Sequence, residues 1–242
     1  MRSGRFRLWC QITAVVLSVF GSMACGDDDS SRPDGSRHLA DSLAAVQALK
    51  SFTVDQTTSI TGVGQPITLN LLMTLEPPDR AYARTNSGDI RFEMVILGTQ
   101  AFTREGGQAW TSTTLLQLGF DPASLYKTFD LAQYAAKVEV IDQPAEAGVD
   151  LIHIRAKLQG EEMLEALASF LSDNNAVADV LAQADVKMFE VDYFLDRNSK
   201  LPRRGEVRFE YEVQGSTIKA TSKFRYYDYN VPISYPAGLP LP

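Results

Sequence analysis

The sequence predicts an α+β fold: a single curved antiparallel sheet, a half-barrel of about 10–11 strands, with helices covering its concave face. Three observations lead there. Six segments between Phe52 and Thr111 alternate apolar with polar residues and are separated only by short turn sequences, which implies a meander. Stretches of helical period precede the strands once and interrupt them twice, each with one apolar side. A sheet this long must curl, and helices with a single apolar side can cover only the inside of the curl.

The chain opens with Arg2, Arg5 and Arg7, then a mostly apolar run from Leu8 to Phe20, then small residues and Cys25, which is the order of a secretory signal. The run has 13 residues and contains Gln11, whereas a spanning helix needs about 20 apolar residues. Ser22-Met23-Ala24-Cys25-Gly26 resembles a bacterial lipobox, with Ser22 where that pattern most often has Leu. The resemblance implies that residues 1–24 are a lipoprotein signal peptide. Cys25 then receives a diacylglyceryl group on sulfur and an acyl group such as palmitate on its new amino group. Two or three acyl chains, at about 0.8 kcal/mol per buried CH₂, would hold the chain on a membrane. Ser22-Met23-Ala24 also suits ordinary signal cleavage, so plain export stays open. Either way the expected location is outside the cytoplasm, and the lipobox reading makes it a cell-membrane anchor on the outer face or periplasmic side.

Removal of residues 1–24 takes three of the 23 basic residues and none of the 30 acidic ones, leaving a net charge of −10. That balance excludes nucleic acid as a partner, since such binding depends on neutralising phosphates. Cys10 leaves with the signal and Cys25 is the lipidation site, so the folded part keeps no thiol for a disulfide, a metal or a nucleophile. Residues 25–36 form the lipidated cysteine and a polar tether containing Asp27, Asp28 and Asp29, a solvated spacer rather than a cation site. Residues 37–242 make one domain, long enough for a core without covalent staples.

Within that domain the first helix is expected from Ser36 to Lys50, with Leu39, Leu43, Val46 and Leu49 on one side. Phe52 to Ile60 alternates as a strand and ends at Gly62-Val63-Gly64, a turn rather than a phosphate cradle because no helix follows. Ile67, Leu69, Leu71, Met73 and Leu75 then form the strongest apolar stripe in the chain. Pro77-Pro78-Asp79 turns it into a strand from Arg80 to Asn86. Ile90, Phe92, Met94 and Ile96 repeat the one-sided pattern, followed by short strands near Ala101–Arg104 and Gln108–Thr111.

Asp121-Pro122 opens a helix to about Ala136, with the carboxylate as N-cap and proline at the first helical position. Strands follow at Lys137–Asp142 and Val149–Lys157. Two helical stretches come next, the first with Met163, Leu164, Leu167, Phe170 and Leu171 on one side, the second with Val177, Val180, Leu181 and Ala184. Val186–Asp196 returns to strand, with Phe189, Val191, Tyr193 and Leu195 on one side and a turn at Arg197-Asn198-Ser199-Lys200. A two-residue loop at Gln214-Gly215 fixes the last hairpin: Val213 opposite Ser216, Tyr211 opposite Ile218, Phe209 opposite Ala220 and Val207 opposite Ser222. The same register sets Glu210 against Lys219 and Glu206 against Lys223, matched charges on the other face. Phe224, Tyr226, Tyr227 and Tyr229 read as edge-strand packing, and the proline-broken tail to Pro236 as a segment along an edge.

Catalytic chemistry finds little support. His38 lies near the tether, and His153 alternates with Ile152 and Ile154 as a sheet-face residue. There is no Gly-x-Ser-x-Gly elbow, and Glu161-Glu162 suit the first turn of a helix. No catalytic residue, cofactor or metal is expected.

The order of elements, the helix Asp41–Lys50 leading into Ser51-Phe52-Thr53-Val54, Pro78-Asp79-Arg80, the hairpins to Trp110, Asp121-Pro122, and Phe189–Asp196 leading into Leu201-Pro202-Arg203 together resemble the LppX/LprG/LprA lipoproteins. More remotely they resemble the LolA lipoprotein carrier and the LolA-like domains of envelope-stress regulators. The closing run from Tyr229-Asn230-Val231-Pro232-Ile233 to Pro236 is also similar, so the likeness spans nearly all of Ser36–Pro236. It implies an acyl-binding cavity between sheet and lid, with a lipid, lipoglycan or acylated protein as ligand and an envelope transporter or acceptor protein as a further partner. The stripes themselves supply the cavity candidates: Ile67, Leu69, Leu71, Met73, Leu75, Ile90, Phe92, Met94, Ile96, Met163, Leu167, Phe170, Leu171, Phe189, Val191 and Tyr193. A fully packed, LolA-like sensor domain that regulates an envelope partner is the alternative, and a lipid hydrolase a third.

Overall fold

A computed structural model of the chain describes residues 34–62, 64–87, 90–114, 137–158, 185–213 and 215–240. They form one helix, α1 (Asp34–Gln47), and the strands β1 (Phe52–Thr61), β2 (Ile67–Glu76), β3 (Arg80–Ser87), β4 (Ile90–Leu97), β5 (Gln100–Glu105) and β6 (Thr111–Thr114). After these come β7 (Lys137–Asp142), β8 (Ala145–Glu146), β9 (Val149–Leu158), β10 (Asp185–Asp196), β11 (Pro202–Val213) and β12 (Ser216–Tyr227). All belong to one sheet, ordered β6-β5-β4-β3-β2-β1-β12-β11-β10-β9-β7, with β8 paired only to β9. The sheet is therefore two antiparallel meanders, joined where the first strand pairs with the last.

The hairpin register worked out from the Gln214-Gly215 loop is the register observed, from Val213 opposite Ser216 to Val207 opposite Ser222. Its outer charges meet as expected: Lys219 Nζ lies 2.9 Å from Glu210 and Lys223 Nζ 4.0 Å from Glu206. At the β1–β2 turn Gly62 has φ +90°, and a Cβ there would stand 2.0 Å from the Thr217 carbonyl oxygen, so only glycine fits. The turn after β10 is built by Asp196, whose Oδ1 accepts the N–H groups of Asn198 and Ser199, both at 2.9 Å.

Several elements differ from expectation. The strand count is twelve among the described residues, because the two-residue β8 adds a short ribbon. The strand expected near Gln108–Thr111 is Thr111–Thr114, since Gln108, Ala109 and Trp110 form a loop that brings the Trp110 ring under the Arg104 guanidinium, 4.5 Å away. The helix begins at Asp34, so the last residues assigned to the tether are helical. It buries Leu39, Leu43 and Val46. At about 2 kcal/mol each, those three side chains hold a helix too short to persist alone. It packs on β7 and β9.

The aromatic cluster needs the largest correction. β12 is no edge: it lies between β1 and β11, and Phe224 and Tyr226 are buried in the core. Nor does the tail start along an edge. The Asn230 N–H donates to the Ser51 carbonyl at 2.8 Å, Ser51 Oγ donates to the Val231 carbonyl at 2.6 Å, and the Tyr229 hydroxyl donates to the Pro202 carbonyl. These bonds tie Tyr229, Asn230 and Val231 to the starts of β1 and β11, in mid-sheet.

The signal, Cys25, most of the tether and the helices expected at 121–136, 163–171 and 177–184 lie outside the described residues. Among the described residues no helix is long and apolar enough to cross a membrane.

Candidate ligand-binding face

Alternation along each strand sends one set of side chains to the face that carries α1, here the inner face, and the other set outward. The ladder registers arrange the inner set in transverse rows. One row runs Phe189, Phe209, Ala220, Ile60, Ile67; the next Val191, Val207, Ser222, Thr58, Leu69; the next Tyr193, Gly205, Phe224, Gln56, Leu71. The stripes on β2 and β10, more than 100 residues apart in the chain, are thus in step across four strand spacings, about 19 Å.

Leu71, Met73, Leu75, Ile96, Phe189, Val191 and Tyr193 join one buried apolar cluster together with the residues of α1, and Met94 packs against it half-buried. Leu69 is buried outside that cluster; Ile67 and Phe92 are half-buried near strand ends. Ile90 lies on β4, with its side chain outside the described residues, as are Met163, Leu167, Phe170 and Leu171 altogether. Ala81 and Ala83 of β3, absent from the predicted set, sit buried between the β2 and β4 stripes. Gly205 is closely packed in mid-sheet, where a Cβ would meet the Asp192 carbonyl oxygen at 2.9 Å and the Phe224 ring at 3.2 Å.

Polar side chains interrupt this apolar face at its centre. Gln56, Thr58, Thr85 and Ser222 are all buried there. Gln56 Nε2 donates to Thr58 Oγ1 at 3.2 Å, and Thr58 Oγ1 shares a hydrogen with Ser222 Oγ at 2.8 Å. The sequence contained each residue at an inner position, but their meeting depends on β1 pairing with β12.

The outer face is organised by charge. Glu93, 2% exposed, accepts from Tyr82 Oη at 2.6 Å and Arg91 Nη2 at 3.0 Å on one oxygen, and from Arg104 Nε at 2.6 Å on the other. Burial alone would raise its pKa; the hydrogen bonds from Arg104, Tyr82 and Arg91 outweigh it and bring the carboxyl down to about 2. On the other meander, Asp192 accepts from Arg155 Nε at 2.8 Å and Arg208 Nη2 at 2.7 Å, and lies 2.8 Å from His153 Nε2. Burial works to raise the Asp192 pKa, and the Arg155 and His153 bonds overcome it, so the net shift is downward. His153 is a sheet-face residue, as its alternation suggested, but a buried one: Nδ1 lies 3.1 Å from Asp142, and Phe194 stacks on the ring at 4.1 Å. A separate cleft of about 340 Å³ opens between Arg104, Gln108, Ala109, Trp110 and the tail residues Ala237, Gly238 and Pro240, away from the predicted cavity residues. Among the described residues no group of His, Cys, Asp and Glu is arranged to hold a metal.

No protein-family model matches the chain, and no curated protein matches its sequence. Among solved structures it is similar to LprF from Mycobacterium bovis, at 13% identity and a TM-score of 0.56, over 87% of this chain and 99% of that one. It is similar also to the lipoprotein LppX from Mycobacterium tuberculosis, at 12% identity and a TM-score of 0.51, over 84% of this chain and 99% of LppX. The LolA superfamily protein NE2245 from Nitrosomonas europaea is more distant, at 8% identity and a TM-score of 0.33, over 83% of this chain and 94% of that one. The fold is thus that of LprF and LppX, a single large curved antiparallel sheet, and the resemblance read in the sequence holds at the level of structure.

Proposed function

We propose, from a fold shared with LprF and LppX and from the extent of the inner face, that this protein is an exported lipoprotein that binds acyl chains without catalysis. Cys25 is the anchor on this reading, and the ligand is a lipid, lipoglycan or acylated protein held between the sheet and a helical lid. The observation that carries it is a mismatch of size. Eleven strands in sequence across the sheet make an inner face about 48 Å wide along the ladder. The described helix, about 10 Å across, packs mainly on β7 and β9. The apolar rows continue far beyond it over β1 to β5. Lid helices and acyl chains are what such a face accommodates. Delivery to an envelope transporter or acceptor protein is the role that follows for an anchored carrier.

Native and denaturing mass spectra of the chain from Gly26 onward, which contains every described element, test this directly. The native spectrum should carry a species of lipid mass that denaturation releases. Leu71→Trp or Met94→Trp, which places an indole over the β2–β4 rows, should remove at least nine-tenths of it. A clean apo mass with no uptake of fluorescent fatty acid or phospholipid overturns the carrier reading and points to the packed sensor domain.

A further inference from the structure

Among the described residues, the two hydroxyls at the centre of the inner face do not use all their hydrogens. Thr58 is 1% exposed and Ser222 6%, and they face each other across the β1–β12 ladder with 2.8 Å between oxygens. Gln56 Nε2 already donates to Thr58 Oγ1. If Thr58 donates to Ser222, the Ser222 hydrogen is left over; if Ser222 donates to Thr58, the Thr58 hydrogen is left over. Either arrangement leaves one O–H donor without an acceptor among the described residues, in a row whose neighbours are Leu69 on one side and Val207 on the other. A buried donor in apolar surroundings gains most from an acceptor brought in by a ligand that is otherwise hydrocarbon.

We propose that Thr58 and Ser222 form the polar recognition point of the inner face, donating one hydrogen bond to the ester carbonyl oxygen of an acyl lipid. The inference rests on the acyl-binding reading and adds to it a chemical preference: ester-linked over ether-linked chains. The geometry suits a linkage held in the middle, because apolar rows extend from the pair in both directions, through Leu69 toward β2 and through Val207 and Val191 toward β10. An ether oxygen is a poor acceptor beside a carbonyl, so the diether analogue of the same lipid lacks what the pair offers while matching it in apolar area.

The test compares a diacyl phosphatidylcholine with the dialkyl ether of equal chain length, competing for the full chain as exported, with Cys25→Ser to keep it free of acyl groups of its own. The ester should bind about five- to tenfold more tightly, the worth of one neutral hydrogen bond. Thr58→Val with Ser222→Ala removes both hydroxyls with little change of shape and should bring the two lipids to equal affinity. Equal affinity in the unsubstituted protein overturns the proposal while leaving acyl binding intact. A preference that survives in the double variant overturns the assignment to this pair. Uptake of neither lipid sinks the carrier reading and this inference with it.

Discussion

The two faces of the sheet are held by different means. On the outer face, charged side chains lock neighbouring strands in pairs and triples around two buried carboxylates, Glu93 on the first meander and Asp192 on the second. On the inner face the contacts are mostly apolar and non-directional, with the Gln56–Thr58–Ser222 hydrogen bonds at the centre and small residues at Ala81, Ala83 and Gly205. Charge-assisted bonds have fixed geometry and few substitutes, whereas aliphatic contacts exchange one partner for another at little cost. The outer pairs thereby favour one register, and on the reading proposed above the inner face is the one that exchanges contacts with a ligand.

That contrast is open to attack from the outer side first. Asp192→Ala leaves Arg155, Arg208 and His153 facing an empty site and should cost about 3–5 kcal/mol in urea unfolding, while the lipid bound per folded molecule stays constant. Loss of lipid in step with stability would show that the faces are coupled. Glu93→Gln should cost less, about 2–3 kcal/mol, because Arg91 stays half in water. The Glu93 effect depends on pH. Its folded pKa lies at about 2 against an ordinary 4.5, so its contribution is complete above 4.5 and fades as pH falls toward 2. Urea midpoints of the native and Glu93→Gln proteins should converge over that window.

On the inner side, Gly205→Ala forces a methyl against the Asp192 carbonyl and the Phe224 ring. It should destabilise by about 1–2 kcal/mol and reduce bound lipid, a combination that neither carboxylate variant gives. Smallest of all is the exposed pair on the last hairpin. Lys219→Gln should change stability by no more than about 0.5 kcal/mol, and that only at low salt.

Local pattern made much of this legible. The β2 stripe, the Phe189–Leu195 stripe and the whole β11–β12 register follow from alternation and one turn, and each residue lies on the face its period assigns. What alternation does not encode is the order of strands. Nothing in Phe224-Arg225-Tyr226 says that its neighbour is Phe52–Thr61, so a central aromatic pair reads as edge packing and Gln56, Thr58 and Ser222 read as unrelated polar residues. The same gap hides Glu93, an ordinary outward position on β4 that becomes buried only because Tyr82 and Arg104 arrive from the strands on either side. His153 shows a milder form of it: its face was legible, and its carboxylate partners, 11 and 39 residues away, were not.

The pairing of the first strand with the last also sets a timetable. A polypeptide that emerges from its amino end displays β1 long before Ser222, which follows Thr58 by 164 residues. Each meander can form from neighbouring segments as they appear, but the seam between them waits for the end of synthesis. The centre of the inner face therefore comes into being last, and a chain cut short between β11 and β12 has two flanks and no middle.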